Sequence, residues 1–304
     1  MANIWVKNPW RNEVAIDMGT AFVRVAMAQL GVKTIPTMQL GGAPLRSGVI
    51  TNQYATASLL CPWLSQAKRL RLFKPLVLVG IPTAATDSER ELLTEALYQA
   101  GAADVSIVSA PFAAALGAGL NLLSPFAQMI VDVGDGVTDC AIISAGHILE
   151  ANATRIGCSS LRERVQDSFR RYGEGFDLNM AEAERIIAAS GTYHTGLNNV
   201  SLLVKVSSIG GGKHEPLSVY SATLQAMIEP MIVEITDTVI NLFRKVPPAV
   251  GCEIIESGIV LTGGGSMLPG LQERLAEATS IKVTIPADPL DVVINGLREM
   301  LKRA

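Results

Sequence analysis

Two aspartates stand at the ends of short apolar runs, each followed by a glycine turn. Residues 14–20 read VAIDMGT, carrying Asp17, Gly19 and Thr20, and continue into AFVRVAM at 21–27. Residues 129–138 read MIVDVGDGVT, carrying Asp132, Gly134, Gly136 and Thr138, and continue into DCAII at 139–143. A third run, 258–261 (GIVL), leads through Thr262 to Gly263, Gly264 and Gly265. Glycine turns let backbone N–H groups approach polyphosphate oxygens with no Cβ in the way. Thr20 and Thr138 add hydroxyl donors. Asp17 and Asp132 would repel phosphate unless a Mg²⁺ with its water shell lay between. The third turn offers bare backbone on which a purine and ribose can lie flat. The plain alternative for both aspartates is turn formation by their own side chains.

The elements that must hold these turns follow from pattern. Each Asp–Gly unit reads as a strand–turn–strand hairpin with the aspartate at its tip. The two units lie about 115 residues apart, which predicts two domains of related fold. Between them come a buried strand over 75–81, a helix over 87–100, a strand over 105–108 and a small-residue helix over 111–119. Asp87 is the expected N-cap of that first helix and Gly101 its stop. The second half predicts helices over 158–171 and 180–190, a strand over 201–207, and two helices within 217–246 that meet near Pro230. A strand over 258–261, a helix over 269–279, a strand over 282–285 and a helix over 289–302 follow. The fold class is α/β with a largely buried sheet.

Composition narrows the function. The chain has 304 residues, room for about two ordinary domains. Apolar residues make up 49 % and charged residues 17 %, which excludes a disordered chain and predicts a greasy surface or a large interface. The net charge is -3, and the only basic cluster, Lys68–Arg71, is too short to bind nucleic acid by phosphate neutralisation. Cys61, Cys140, Cys158 and Cys252 form no CxxC pair, and His147, His194 and His214 have no metal spacing, so zinc has no support. A reduced, cytoplasmic setting is the expectation. No signal-peptide core is present at the N-terminus. The uncharged stretch 105–131 is broken by Pro111, Pro125 and several polar residues, and reads as strand, helix and strand rather than a membrane span. The run 210–213 (GGGK) lacks the spacing of a phosphate loop and reads as a hairpin tip.

Taken in order, the three turns resemble the actin–Hsp70–sugar-kinase superfamily. Within it the chain is most similar to bacterial actins of the MreB type, over most of 13–302. The runs that carry this are PFAAALGAGL at 111–120, AERI at 183–186, Glu229-Pro230, Pro247-Pro248, GIVLTGGGS at 258–266 and DPL at 288–290. The resemblance implies an actin-like ATPase fold, two related domains of mixed sheet and helix around a nucleotide cleft. It implies a tail over 1–12, a first domain over 13–128, and a second over 129–304 with a small insert near 173–220. It also implies ATP and Mg²⁺ as ligands. The nucleotide contacts would be Asp17, Gly19, Thr20, Asp132, Gly134, Gly136, Thr138, Gly157, Glu184, Gly263, Gly264 and Gly265. Asp17 and Asp132 would hold Mg²⁺ through water. The implied partners are further copies of the chain in a filament, or another bacterial actin, at the inner face of the membrane.

The sequence departs from that family in several places. Ala110 stands where the family has the Glu that positions the attacking water, and Ala cannot polarise water. Asp139, in the second turn, is the candidate stand-in. Asp135 replaces a glycine of that turn and Val137 a threonine. Ile187 replaces a lysine that contacts nucleotide, while Glu184 is kept for the ribose. Together these changes make slow or impaired hydrolysis the expectation. Only about 31–49 remains for the small inserted subdomain (IB) that closes the cleft and makes filament contacts in the family, so both of those should be altered. In the tail, Ile4, Trp5, Val6 and Trp10 beside Lys7 and Arg11 suit a membrane interface. Two other readings compete. One is a non-polymerising chaperone similar to the short Hsp70-like proteins of ethanolamine microcompartments. The other is a small-molecule kinase, which would need a substrate domain not seen here.

Overall fold

A computed structural model describes residues 9–28, 30–38, 44–171, 176–190, 201–208 and 214–303. The tail residues 1–8, Gly41 and Gly42 of the shortened insert, His194 and the 210–213 tip lie outside the described residues.

The chain opens on a three-stranded meander, β1 (Glu13–Met18), β2 (Phe22–Met27) and β3 (Gly31–Pro36). A small hairpin, β4 (Leu45–Arg46) and β5 (Val49–Ile50), leads to helix α1 (Gln53–Gln66). Then β6 (Leu76–Ile81), α2 (Asp87–Ala100), β7 (Asp104–Ser109) and α3 (Ala110–Gly117) alternate. The first sheet has the order β3-β2-β1-β6-β7, with β1, β6 and β7 parallel. Every side chain of β6 is buried, as a central parallel strand covered on both faces requires. The second half repeats the plan. A meander of β8 (Gln128–Val133), β9 (Thr138–Ser144) and β10 (His147–Thr154) is extended by parallel β14 (Ile259–Thr262) and β15 (Val283–Thr284). The order β10-β9-β8-β14-β15 matches the first sheet position for position. The internal echo of the two Asp–Gly hairpins is thus an echo of whole sheets.

Between β10 and β14 the chain builds a smaller layer. Helix α4 (Cys158–Arg170), β11 (Phe176–Asp177), α5 (Met180–Ser190), β12 (Ser201–Ser208) and β13 (His214–Tyr220) pack with the start of α6 (Ser221–Lys245). Helices α7 (Pro248–Ser257), α8 (Leu271–Thr279) and α9 (Val292–Arg303) complete the set. Among the described residues no helix is long and apolar enough to cross a membrane.

Three expectations are corrected. The segment 217–246 is the end of a strand and one 25-residue helix, not two helices. Pro230 is exposed, and the buried face formed by Leu224, Ile228, Ile235, Val239 and Leu242 runs straight past it. The apolar face therefore outweighs one missing N–H donor. The N-cap of α2 is Thr86, not Asp87: Thr86 and Glu89 form a reciprocal capping box. Finally, α9 does not stay with the second half. It packs on α3 and on β1, β2 and β6, burying Val293, Ile294, Leu297 and Met300 with Ala15, Ala26 and Leu78. The helices nearly touch through backbone. A Cβ on Gly117 would lie 1.8 Å from the Val292 carbonyl oxygen, and one on Gly296 would lie 1.8 Å from that of Ala113. This α3–α9 layer also contacts Ile130, Ala141 and Ile143, so it joins the two sheets.

Candidate functional site

The β1–β2 turn, the β8–β9 turn and the glycine turn after β14 open onto one cleft of about 420 Å³. Asp17, Gly19, Thr20, Asp132, Gly134, Gly136, Glu184, Gly263 and Gly264 all border it, and so does Ala110. Sequence positions as distant as 17 and 264 meet because each turn sits at the same end of its sheet. β8 pairs with β14 so that Asp132 lies opposite Thr262. The turns interlock tightly. A Cβ on Gly136 would lie 2.3 Å from Thr20 Oγ1, and one on Gly263 would lie 2.4 Å from Asp132 Oδ1. Gly263 also has φ +77°, so a side chain there is excluded twice over. Thr20 Oγ1 accepts from the Gly48 amide at 2.9 Å, which leaves the hydroxyl proton free to donate into the cleft.

Three expected nucleotide contacts and the expected catalytic stand-in do not border the cleft. Thr138 is fully buried and donates to the Ile156 carbonyl at 2.8 Å, bracing the entry to α4. Gly157 caps α4 with its backbone against Asp135, and Gly265 is buried against Val133. Asp139, the expected stand-in for the missing glutamate, is buried. It accepts from the Thr83 amide at 2.7 Å and from the Thr83 hydroxyl. It braces the loop after β6 against β9 and does not border the cleft. Ile187 is 5 % exposed within the core of the smaller layer, so that position faces away from the cleft.

The electrostatics are set by burial. Asp17 is pushed up to about 7, chiefly by desolvation, with Arg24 opposing and Asp132 adding to the rise. Asp132 is pushed up to about 6 by burial and by Asp139, while a hydrogen bond from Thr262 opposes. Two half-buried carboxylates that resist ionisation on the same cleft suit a hydrated dication, which would favour the charged forms. Among the described residues no three His, Cys, Asp or Glu side chains converge into a closed metal cage. The Cys158 thiol borders the cleft and is pushed up to about 12, chiefly by burial, which favours its protonated form.

Two cleft arginines were not foreseen. Arg24 on β2 lies directly across from Asp17 in the hairpin register, 3.4 Å from its carboxylate. Its Nε is 2.8 Å from Asp291 Oδ1, but the N–H is not aligned to form a hydrogen bond. The signal was available: in a hairpin whose loop is 19–22, positions 17 and 24 pair. Arg162 on α4 pairs with Asp135 and lies 3.8 Å from Glu184. The extra negative charge expected at Asp135 is therefore compensated within the chain. No local pattern announced this pair, because the partners are 27 residues apart.

Comparisons with known proteins agree with this architecture. The MreB/Mbl protein family matches residues 33–304. The cell shape-determining protein MreB of Escherichia coli (strain K12) is 31 % identical over 255 residues, covering 83 % of this chain and 73 % of that protein. The MreB5 of Spiroplasma citri, in its ADP-bound crystal structure, superposes with a TM-score of 0.85 at 26 % identity, covering 96 % of this chain and 97 % of the other. A second MreB5 crystal structure, bound to AMPPNP, gives the same TM-score. The MamK double helical filament shares the fold at a TM-score of 0.76 and 18 % identity, covering 96 % of this chain and 99 % of the other. With the two matched sheets and the three converging turns, these findings make the chain a member of the MreB/Mbl family of actin-like proteins.

Proposed function

We propose that the chain binds ATP with Mg²⁺ in the cleft and assembles with itself, or with another bacterial actin, as a cytoskeletal filament. The observation that carries this is the convergence of three glycine turns on one cleft beside two half-buried aspartates. The nucleotides bound by the similar MreB5 support it. Gly19, Thr20, Gly134 and Gly136 would meet phosphate oxygens, and Gly263 and Gly264 the nucleoside. Asp17 and Asp132 would hold Mg²⁺ through water, and the ion would neutralise phosphate charge there. Hydrolysis is slow on this reading, because Ala110 offers only a methyl group and Asp139 is engaged by Thr83. Calorimetry with ATP and Mg²⁺ tests the binding, and no heat at millimolar nucleotide would end it.

The same reading gives the protein a membrane contact at one surface loop. In the loop 68–74 (KRLRLFK), Leu70 and Leu72 are 68 % and 79 % exposed, among Lys68, Arg69, Arg71 and Lys74. Leu70 and Arg71 both have positive φ, within the turn closed by the Arg69–Phe73 bridge. Trp10 packs near Phe73, with ring centroids 6.2 Å apart, and Arg69 donates to the Pro9 carbonyl. An apolar tip ringed by cations suits an anionic lipid surface.

A non-polymerising chaperone-like member is the second reading. It is favoured by the insert, since β3 uses 31–36 and only the small β4–β5 hairpin follows among the described residues. Sedimentation with and without ATP, followed by electron microscopy, separates the two.

A further inference from the structure

Arg162 stands on the second turn of α4 and borders the cleft. Its Nη2 donates to Asp135 Oδ1, and its Nη1 lies 3.8 Å from Glu184 Oε1. The side chain is 16 % exposed, and its Nε–H is buried with no partner. Buried polar groups are nearly always satisfied, and an orphan donor on a cleft wall calls for an acceptor that the ligand brings. The arginine is also held firmly. The Asp135 carbonyl accepts from the Ser159 amide and hydroxyl, both at 2.7 Å, so the start of α4 fixes the residue that orients the guanidinium. The other cleft-lining arginine, Arg24, is held between Asp17 and Asp291 and belongs to the aspartate side of the cleft, although its Nε–H too is buried without an aligned acceptor. Ile187 supplies no cation.

We propose that Arg162 is a direct nucleotide contact, whose guanidinium, pre-oriented by Asp135 and Glu184, donates to the phosphate nearest the ribose. This rests on the nucleotide reading of the cleft and deepens it. Asp135 lies in a phosphate turn and Glu184 at the expected ribose position, so a fork held between them faces the junction of sugar and phosphate. Planar guanidinium donors match phosphate oxygens in a way that a lysine ammonium does not. Asp135 and Arg162 then form one unit: the carboxylate aims the arginine, and the arginine cancels a charge that would otherwise repel the ligand.

The test uses the full chain and a fluorescent mant-ADP probe with Mg²⁺. It compares wild type, Arg162→Gln, Arg162→Lys and the double variant Asp135→Asn with Arg162→Gln, each checked by thermal melting. Arg162→Gln is expected to weaken binding at least tenfold, from the lost contact and the bared Asp135 charge. The double variant recovers only part of this and stays at least threefold weaker than wild type. Wild-type affinity in the double variant would reduce Arg162 to a counter-ion and overturn the proposal. Unchanged affinity in Arg162→Gln would do the same. Should the glutamine variants fail to fold, Arg162→Lys decides, with at least threefold loss expected and wild-type binding refuting. If wild type itself binds no mant-ADP at millimolar concentration, the nucleotide reading fails first, before any variant is compared.

Discussion

Placing a methyl group at the α3–α9 crossing should unfold the protein at lower temperature, although alanine is the better helix former. The interior position Gly296 normally gains about 1 kcal/mol on change to Ala from helix propensity. Here the new Cβ would sit 1.8 Å from the Ala113 carbonyl oxygen. Relaxed C···O contacts lie near about 3.3–3.6 Å, so the helices must part by roughly 1.5 Å. A radial gap of about 0.5–1 Å already forfeits a quarter to a half of each dispersion contact. The residues losing contact include Leu116, Leu297 and Met300. Overpacking alone costs about 1–3 kcal/mol. The net expectation is a loss of about 2–4 kcal/mol for Gly296→Ala, and a similar loss for Gly117→Ala, whose Cβ would meet the Val292 carbonyl. Because both act on one gap, the double variant should lose less than the sum. Gly251→Ala is the control of opposite sign. It lies inside α7, and its Cβ would find the Phe243 ring at 3.6 Å, an ordinary contact, so it should gain about 0.5–1 kcal/mol. Urea titrations monitored by circular dichroism give all four values. A Gly296→Ala protein as stable as wild type would refute the backbone contact and the position of α9 with it.

Other expectations follow from the cleft and surface. Asp139 titrates near 6 when folded against 3.8 as a free side chain, so folding favours its protonated form. Ligand-free stability should therefore fall as pH rises from about 4 through 6, by on the order of 3 kcal/mol at most from this group, and then level off. A melting temperature that climbs between pH 5 and pH 7 would contradict it. Thr83→Val removes the hydroxyl donated to Asp139 and should cost about 1.5–3 kcal/mol at pH 8, and less at pH 5. Ala110→Glu should speed phosphate release by up to about 10²-fold if the rest of the site is competent, as a general base allows. No change in a phosphate-release assay would mean that Ala110 is not what limits hydrolysis. Leu70→Glu with Leu72→Glu should abolish co-sedimentation with anionic vesicles and leave melting unchanged, and persistent binding would move the membrane surface elsewhere.

What the sequence disclosed was what short-range pattern encodes. An aspartate closing an apolar run before glycine, in two of the turns, and a glycine triplet after such a run, in the third, are local signals, and all three turns border one cleft. Helices α2 and α5 were legible because caps and apolar spacing sit inside their own segments. Helix α1 was not read: QYATASLLCPWLSQ carries Pro62 and only weak amphipathic spacing, and its start depends on Asn52 capping the Ala55 amide. Strand β3 (GVKTIP) hid because it is a largely exposed edge bearing Lys33 and Pro36. The placing of Asp139 and Ile187 was illegible for another reason. Each sits in a run that looks functional, and only the neighbouring layer decides which way the side chain points. The partner of Asp139 comes from a loop 56 residues away, and no periodicity could supply it.

The return of α9 to the first sheet has a consequence for synthesis. The inner faces of β1, β2 and β6, with Ala15, Ala26 and Leu78, are complete in sequence once β6 has been made, and α3 follows soon after. Their cover arrives only with residues 292–303. At about 5–20 residues per second, the ribosome needs roughly 10–35 s to travel from Gly117 to Val292. Throughout that interval the first half presents an apolar groove shaped for a helix that does not yet exist. A chain cut before Val292 keeps that groove for its lifetime, whereas the second sheet and its helices can close at once. Stalled or truncated products should therefore fail through their earliest-made half, and a holding chaperone would find its binding surface there.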